Sequence, residues 1–273
     1  MNAASTDGGP PAGGYYCPLS PIPCFPWPCH GRGGTILAVH APPAEQARSH
    51  RAATRAGRLI TVEGIDGVGK TTHAALLAEH LREQGLMVAE LREPGGTPLG
   101  EKLRVLIKEG VVASAIAELL LFCASRAELV NVKLKPLLHV GEWVVLDRFT
   151  ESTLAYQGAL TELDEETIEA VCRAATGGIV PDLTFWLDLD PAKATNRRYP
   201  LAQEFRAGGG SAVSDAIEGR DVRYFTRVRE IYERLRTHDP GRIVRVDAAG
   251  TIEETAAAIL TLIDERMAEW NSG

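Results

Sequence analysis

The sequence contains the octapeptide Gly64-Ile65-Asp66-Gly67-Val68-Gly69-Lys70-Thr71, which fits the pattern G-x-x-x-x-G-K-[S/T] in full. It lies between an apolar run, Leu59–Glu63, and a segment of helical periodicity that begins at Lys70. Its glycines let the backbone turn so that N–H groups and the helix N-terminus face phosphate oxygens. A Gly-rich turn without a ligand has no need of the Lys-Thr pair at its end. The octapeptide therefore predicts a P-loop for the phosphates of a nucleotide, and ATP is the nucleotide that we favour.

Individual side chains of this loop have predictable tasks. Lys70 is expected to reach the outer phosphates, and Thr71 to place its hydroxyl on Mg²⁺, with Thr72 completing the ATP-binding segment. Asp66 occupies a position that the pattern leaves free. A carboxylate this close to transferring phosphates would repel them, so we expect Asp66 to face a neutral hydroxyl or the metal. The alternative is a solvated loop carboxylate.

Outward from the loop, short apolar runs alternate with helical patterns. The runs are Leu59–Glu63, Leu86–Leu91, Trp143–Leu146, Leu183–Leu187 and Ile243–Val246. Helical patterns run from Lys70 up to Gly85, cover Leu99–Lys108 and Ala115–Leu138, and begin at Asp190-Pro191 and at the capping box Thr251–Glu254. This alternation predicts the α/β class, with a parallel sheet covered by helices.

Composition divides the chain near Gly57. Residues 1–57 hold nine of the 16 prolines and three of the five cysteines but no lysine, which is typical of a disordered tail. Cys17, Cys24, Cys29 and His30 match no common zinc spacing. A targeting role and a mis-assigned translation start are the other interpretations of the tail. We expect one folded domain over residues 58–273.

Bulk properties narrow the classes of partner. A net charge of -7 and a pI of about 5.6 give no global basic field for nucleic acid or an anionic membrane surface. There is no run of 18 apolar residues and no secretory signal pattern. The scattered cysteines favour thiols in a reducing compartment. We expect a cytoplasmic protein without nucleic-acid or membrane partners.

Polar residues follow two of the predicted strands. Asp147-Arg148 comes directly after Trp143–Leu146, at the carboxyl edge where open parallel sheets bind ligands. There Asp147 would orient metal-bound water and Arg148 would clamp a phosphate, or the two would form a strand-end salt bridge. Arg92 begins a Gly-containing turn after the second strand and offers a planar fork suited to phosphate.

Two further groups of residues are candidates for ligand binding. Phe122 and Arg126 lie four residues apart on one helix face, where both could meet a flat ligand, although spacing alone favours Phe122 as a core residue. A Gly-rich stretch at Ala207–Ser211 interrupts the helical pattern and is flanked by Arg197, Arg198, Arg206 and Arg220. Such a stretch predicts either a basic flap that closes over a nucleotide or a solvated loop.

Taken together, these strings resemble the thymidylate kinase family over nearly all of Arg58–Trp270. The matching strings, in order, are Glu63–Thr72, Arg92–Thr97, Leu121–Arg126, Asp147-Arg148-Phe149, Ala155-Tyr156-Gln157 and Pro181-Asp182-Leu183. The resemblance implies a P-loop NTPase fold, a three-layer sandwich with five parallel strands and a mobile LID flap at about residues 197–217. It also implies a homodimer through the long helices and Mg²⁺-dependent transfer from ATP to dTMP.

Residue roles follow from the same resemblance. Phe122 would stack on thymine, and Arg126 would bond its polar edge. Asp66 would meet the sugar 3'-hydroxyl. The other implied contacts are Arg92 and Arg148 at the acceptor phosphate, Ser152, Thr153 and Gln157 in the wall beside the base, Tyr156 where a ribose 2'-hydroxyl would be crowded, and Thr71 and Asp147 at the metal.

The chain departs from the family pattern in the flap. The Gly208-Gly209-Gly210 run lengthens it, and Ala216 stands where the family commonly has Arg. Arg197, Arg198 and Arg206 are therefore the candidates for the catalytic arginine, beside Lys70 and Arg148. A kinase for another pyrimidine or modified deoxynucleotide, and a nucleotide-binding module without catalysis, are the alternatives. A GTPase is disfavoured because no Asn-Lys-x-Asp string precedes the last strand.

Overall fold

The computed structural model describes residues 57–160, 163–197 and 220–272. Five strands form one sheet: β1 (Leu59–Gly64), β2 (Val88–Arg92), β3 (Trp143–Asp147), β4 (Leu183–Asp188) and β5 (Ile243–Asp247). All neighbouring pairs are parallel, in the order β2-β3-β1-β4-β5. The five strands predicted from the sequence are confirmed, with ends shifted by one or two residues.

The helices of the described residues cover this sheet. Their bounds are α1 (Lys70–Glu83), α2 (Pro98–Lys108), α3 (Ala115–Leu129), α4 (Lys135–His139), α5 (Thr150–Gly158), α6 (Glu165–Thr176), α7 (Val222–His238) and α8 (Ile252–Ser272). Residues 191–197 are also helical. Helices α1 and α8 pack together against the sheet, while α3, α5, α6 and α7 pack against one another. The α/β sandwich expected from the sequence is confirmed.

The helix predicted over Ala115–Leu138 is confirmed, with one irregularity. The α-helix α3 ends at Leu129, and a π-helical turn, Val130–Leu134, joins it to α4. Pro136 at the start of α4 explains the break, because proline has no N–H to donate and its ring crowds the carbonyl four residues earlier. The wider π turn relieves that conflict.

Side-chain caps begin two helices as predicted. Asp190 Oδ1 accepts from the backbone N of Ala192 at 2.9 Å. Thr251 and Glu254 form the reciprocal capping box, with Glu254 N donating to Thr251 Oγ1 at 3.2 Å and Thr251 N donating to Glu254 Oε2 at 2.8 Å. These bonds satisfy helix N–H groups that have no intrahelical acceptor.

The core lies on both sides of the central strands. Every residue of β1 and β4 is buried, so these strands carry apolar residues continuously rather than in alternation. The polar exceptions in the two strands include Thr61 and Thr184, whose hydroxyls bond each other at 2.8 Å, and Glu63 at the end of β1. In the described part of the chain, no helix is long and apolar enough to span a bilayer.

Candidate active site

The turn between β1 and α1 has the backbone conformation that a phosphate cradle needs. Gly64, Gly67 and Gly69 have φ of 137°, 88° and 92°, values that side chains with a Cβ rarely adopt. A Cβ on Gly64 would also lie 2.5 Å from the carbonyl oxygen of Leu187 in β4. No side chain caps the start of α1, where Gly69 is the N-cap residue. The first N–H groups of α1 are therefore available to an anion.

Lys70 is held inside this turn. Its Nζ donates to the carbonyl of Ile65 at 2.8 Å and lies 3.7 Å from Asp66 Oδ1. Burial, together with the nearby charge of Arg148, lowers the pKa of the Lys70 ammonium to about 8. The side chain thus carries its charge at neutral pH, but an anion beside it would be needed to restore its ordinary proton affinity.

Thr71 and Asp147 meet across the gap between α1 and β3. Thr71 Oγ1 donates to Asp147 Oδ2 at 2.5 Å. The other carboxylate oxygen, Oδ1, is buried and has no hydrogen-bond partner among the residues that the structure describes. A hydroxyl and a carboxylate are the hard oxygen ligands that Mg²⁺ prefers, and an unpartnered buried oxygen is what such an ion would satisfy. The pair therefore fits the metal implied by the sequence.

Asp66, Arg148 and Tyr156 form one hydrogen-bonded group beside the P-loop. The Arg148 guanidinium contacts Asp66 Oδ1, and Tyr156 donates its hydroxyl to Asp66 Oδ2 at 3.0 Å. Arg148 has φ of 71°, a left-handed conformation that costs energy for a residue other than glycine. Burial raises the pKa of Tyr156 well above its usual range, so it remains a donor.

A buried carboxylate, which sequence reasoning did not include among the site residues, ties the P-loop to α5. Glu63 accepts from the backbone N of Phe149 at 2.7 Å, from the Ser152 hydroxyl at 2.5 Å and from the Tyr232 hydroxyl at 2.9 Å. Burial, and then the charge of Glu151, raise the pKa of Glu63. The signal was present in the sequence, because a Glu at the end of an otherwise apolar strand needs partners.

Phe122 and Arg126 of α3 line a pocket that we call the Phe122 pocket. Arg126 is almost completely buried; its Nε donates to Glu93 Oε2 at 2.8 Å, and a terminal nitrogen donates to the Phe149 carbonyl at 2.8 Å. Burial raises the pKa of Glu93 to about 7 despite the opposing charge of Arg126. Glu93 Oε1 has no partner within the described residues.

The Phe122 pocket brings together most residues that the sequence assigned to an acceptor. Its lining consists of Asp66, Glu93, Pro94, Arg104, Ile107, Lys108, Phe122, Arg126, Arg148, Ser152, Thr153, Tyr156 and Gln157. Phe122, which spacing alone favoured as core, therefore faces the pocket as well as packing against the core. Arg104 and Lys108 were missed, although their spacing of four on α2 puts both on one helix face.

The hydroxyls of Ser152 and Thr153, both in the pocket wall, differ in their hydrogen bonds within the protein. The Ser152 hydroxyl is engaged by Glu63 and Arg148. The Thr153 hydroxyl is buried and has no partner in the described part of the protein. Thr153 is therefore better prepared than Ser152 to bond a ligand.

Arg92 lies apart from this pocket. Its side chain is 54% exposed, and its guanidinium donates to Glu101 Oε1 at 3.2 Å. Arg92 lines a second cavity together with Thr71 and Asp147. The structure thus brings Arg92 to the side of the predicted metal ligands, and not into the Phe122 pocket.

Of the three candidates for the catalytic arginine, only Arg197 belongs to the described residues. Its guanidinium donates to the carbonyls of Ala248, Ala249 and Gly250 at 2.8, 3.0 and 3.0 Å. Arg197 therefore secures the turn after β5. Arg198, Arg206, Ala216 and nearly all of the predicted LID fall outside the described residues.

Comparison with known proteins gives one consistent family. The family model described as thymidylate kinase matches residues 62–259. The chain is 44% identical over 208 residues to the thymidylate kinase of Synechococcus sp. (strain JA-3-3Ab), covering 76% of this chain and 96% of that protein. It is 43% identical to the thymidylate kinase of Chlorobaculum parvum over 211 residues, 75% of this chain and 94% of the relative.

A solved structure agrees with these sequence relatives. The crystal structure of thymidylate kinase from Ehrlichia chaffeensis matches with a TM-score of 0.60 and 30% sequence identity. The match covers 76% of this chain and 98% of that one. The residues matched by the family model, 62–259, include the P-loop and all the residues that line the Phe122 pocket.

Proposed function

Because the chain belongs to the thymidylate kinase family, we propose that it transfers the γ-phosphoryl group of ATP to dTMP, giving dTDP and ADP. The chain is a nucleoside monophosphate kinase. One observation supports the assignment of substrates to sites. The Phe122 pocket opens beside the P-loop, and Asp66 and Arg148 belong both to the pocket lining and to the rim of the P-loop. A donor and an acceptor bound there would have their phosphates next to each other.

The reaction needs no covalent enzyme intermediate. An oxygen of the dTMP phosphate attacks the γ-phosphorus of ATP, and the bond from that phosphorus to the β-phosphate oxygen breaks as ADP leaves. Lys70 and Arg148 offset the negative charge that would otherwise keep the two anions apart. The α1 N-terminus and the glycine turn add N–H donors at the ATP phosphates.

Magnesium is the cofactor expected with ATP. Thr71 and Asp147 would hold it, since they supply a hydroxyl and a buried carboxylate oxygen without a partner among the described residues. When bound, Mg²⁺ would neutralise phosphate charge and orient the outer phosphates. Asp147 also keeps the Thr71 hydroxyl in position, so its substitution should weaken metal binding in two ways.

In the acceptor site, Phe122 would stack on the base and Arg126 would donate to its polar edge, with Thr153 and Gln157 completing the wall.

Asp66 would accept from the sugar 3'-hydroxyl while keeping its bond to Arg148. Arg148 would then hold the acceptor phosphate, and Tyr156 would crowd a 2'-hydroxyl. Arg92 would approach the phosphates from the metal side.

The catalytic arginine is proposed to come from the flap, from Arg197, Arg198 or Arg206. Three carbonyls already accept from the Arg197 guanidinium, which favours Arg198 and Arg206 as the residue that meets the transferring phosphoryl. Arg197 would instead fix the base of the flap against the turn after β5.

The proposed assembly is a homodimer through α2 and α3. Large apolar side chains on these helices are exposed, among them Leu99, Val105, Leu106, Ile116 and Leu120. A cluster of this kind favours burial against a second copy.

Light scattering of the wild-type protein should give twice the mass of one chain. Leu120→Glu should lower the measured mass, whereas Met87→Glu, at an exposed site before β2, should leave it unchanged. A wild-type protein of single-chain mass would contradict the dimer.

A cytoplasmic location is proposed because the reaction draws on ATP. The described cysteines, Cys123 and Cys172, are free thiols, in keeping with a reducing compartment.

Steady-state kinetics of the full chain with MgATP test the proposed function. The acceptors compared are dTMP, dUMP, dCMP and dGMP, and dTMP should have the highest kcat/KM. A higher kcat/KM for another monophosphate would make this a kinase of that nucleotide. Folded protein that binds ATP in calorimetry but transfers nothing would be a nucleotide-binding module.

A further inference from the structure

A chain of side chains leads from the end of the flap to the Phe122 pocket. Arg220, the first described residue after the predicted LID, donates to Glu118 Oε2 of α3 at 2.7 Å. Glu118 Oε1 accepts from the Gln157 amide nitrogen at 2.8 Å, and Gln157 lines the pocket. Glu118 and Gln157 are both buried, with 9% and 1% of their surface exposed.

Arg220 is itself held in place by Tyr224. It donates to the Tyr224 hydroxyl at 2.6 Å, and this hydroxyl donates to the Tyr156 carbonyl at 2.8 Å. The Arg220 guanidinium also lies over the Tyr224 ring, 4.7 Å from its centroid. The cation is therefore held in an ion pair with the Glu118 carboxylate.

A charged carboxylate decides which way the Gln157 amide points. An ionised carboxylate only accepts hydrogen bonds, so the amide must turn its NH₂ group toward Glu118. The oxygen of the amide, Oε1, is then turned away from the Glu118 carboxylate and can only accept a hydrogen bond. The pocket is thus offered an acceptor from Gln157, beside the guanidinium donors of Arg126.

We propose that Glu118 is a specificity-determining residue: by orienting Gln157, it makes the pocket select pyrimidines that carry a hydrogen on N3 and an oxygen on C4. Such a base donates its N3–H to Gln157 Oε1 and accepts from Arg126 at O4. A 4-aminopyrimidine has a lone pair on N3 and an amino group on C4, so acceptor would face acceptor and donor would face donor. Glu118 acts through Gln157 and is a positioning residue.

This inference rests on the proposed dTMP activity, and its test is Glu118→Gln in the full chain. Glutamine has the same shape but can turn either end of its amide toward Gln157, so the orientation of Gln157 is no longer fixed. The ratio of kcat/KM for dTMP to that for dCMP should fall by about tenfold or more, a hydrogen-bond effect. The loss for dTMP should lie in KM, with kcat little changed. Thermal unfolding of both proteins checks that the variant is folded.

A second variant separates positioning from a purely structural role. In a Gln157→Leu background, Glu118→Gln should leave the dTMP/dCMP ratio unchanged, because the residue that it orients is gone. An unchanged ratio in the single variant, or an undiminished effect of Glu118→Gln in the Gln157→Leu background, would overturn the inference. Wild-type protein without dTMP activity would instead overturn the proposed function, so the two failures are distinguishable.

Discussion

The Arg148 guanidinium is bonded to the Asp66 carboxylate, so that a residue after β3 and a residue inside the P-loop share one charge pair. In the proposed complex, this pair would lie between the phosphates of the donor and the sugar of the acceptor. A change in either member is therefore expected to affect both substrates. Asp66 is the more informative one to change, because its role at the 3'-hydroxyl is still a prediction.

Asp66→Asn is expected to lower kcat/KM for dTMP by about 100-fold, because it removes the charge partner of a largely buried arginine. If Asp66 also accepts from the sugar hydroxyl, 3'-deoxy-dTMP should lose activity with the wild type but lose little more with the variant. Initial rates with both acceptors measure this. Strictly multiplicative losses would show that Asp66 and the 3'-hydroxyl do not meet.

The lowered pKa of Lys70 predicts a pH dependence. Between pH 7 and 9 the Lys70 ammonium of the free enzyme should lose its proton, with a midpoint near its pKa of about 8. Because the charged form binds phosphates, kcat/KM for ATP should fall as pH rises through this range. Lys70→Arg keeps its charge and should flatten the fall, at a lower absolute rate. A wild-type profile that is level from pH 7 to 9.5 would contradict the assignment.

The bond between Thr71 and Asp147 predicts a shift in metal requirement. Thr71→Ala should raise the Mg²⁺ concentration for half-maximal activity by about 10- to 100-fold, because one ligand is lost and Asp147 is left unoriented. Thr71→Ser retains the hydroxyl and is the matched control. Activity is followed during Mg²⁺ titration at fixed ATP. Equal titration curves for the Ala and Ser variants would mean that the hydroxyl is not a ligand.

The bonds of Arg197 separate its expected phenotype from that of a catalytic arginine. Arg197→Ala should lower the Tm, because the turn at 248–250 loses three hydrogen bonds. Substitution of the true catalytic arginine, Arg198 or Arg206, should lower kcat by about 10³-fold or more with an unchanged Tm. A large kcat loss at unchanged Tm in Arg197→Ala would move the catalytic role to Arg197.

Much of the fold and of the candidate site could be predicted from the sequence, because the signals for these features lie within short stretches of the chain. Each strand is a short apolar run bounded by turn residues, and the P-loop glycines have the positive φ that their pattern demands. Asp147 and Arg148 could be assigned to the binding edge because the carboxyl ends of parallel strands share one side of the sheet.

What escaped prediction depends on contacts between residues distant in sequence. The π turn at Val130–Leu134 reflects a clash around Pro136 that hydrophobic periodicity does not report. Glu118 and Arg220 are 102 residues apart, so no spacing rule links them. The exposure of Arg92 likewise follows from how β2 meets α2, which sequence patterns leave undetermined.

The hydrogen bonds of the buried Glu63 side chain have a consequence for the whole active site. One buried carboxylate anchors the residue before the P-loop to the start of α5 and to Tyr232 of α7. In the proposed complex, the spacing between the donor and acceptor phosphates would thereby be set by the scaffold, independently of the α3 side chains proposed to contact the base. Changes in those side chains can alter which base is accepted without moving the reacting groups apart. This architecture separates the evolution of substrate choice from the preservation of catalytic alignment.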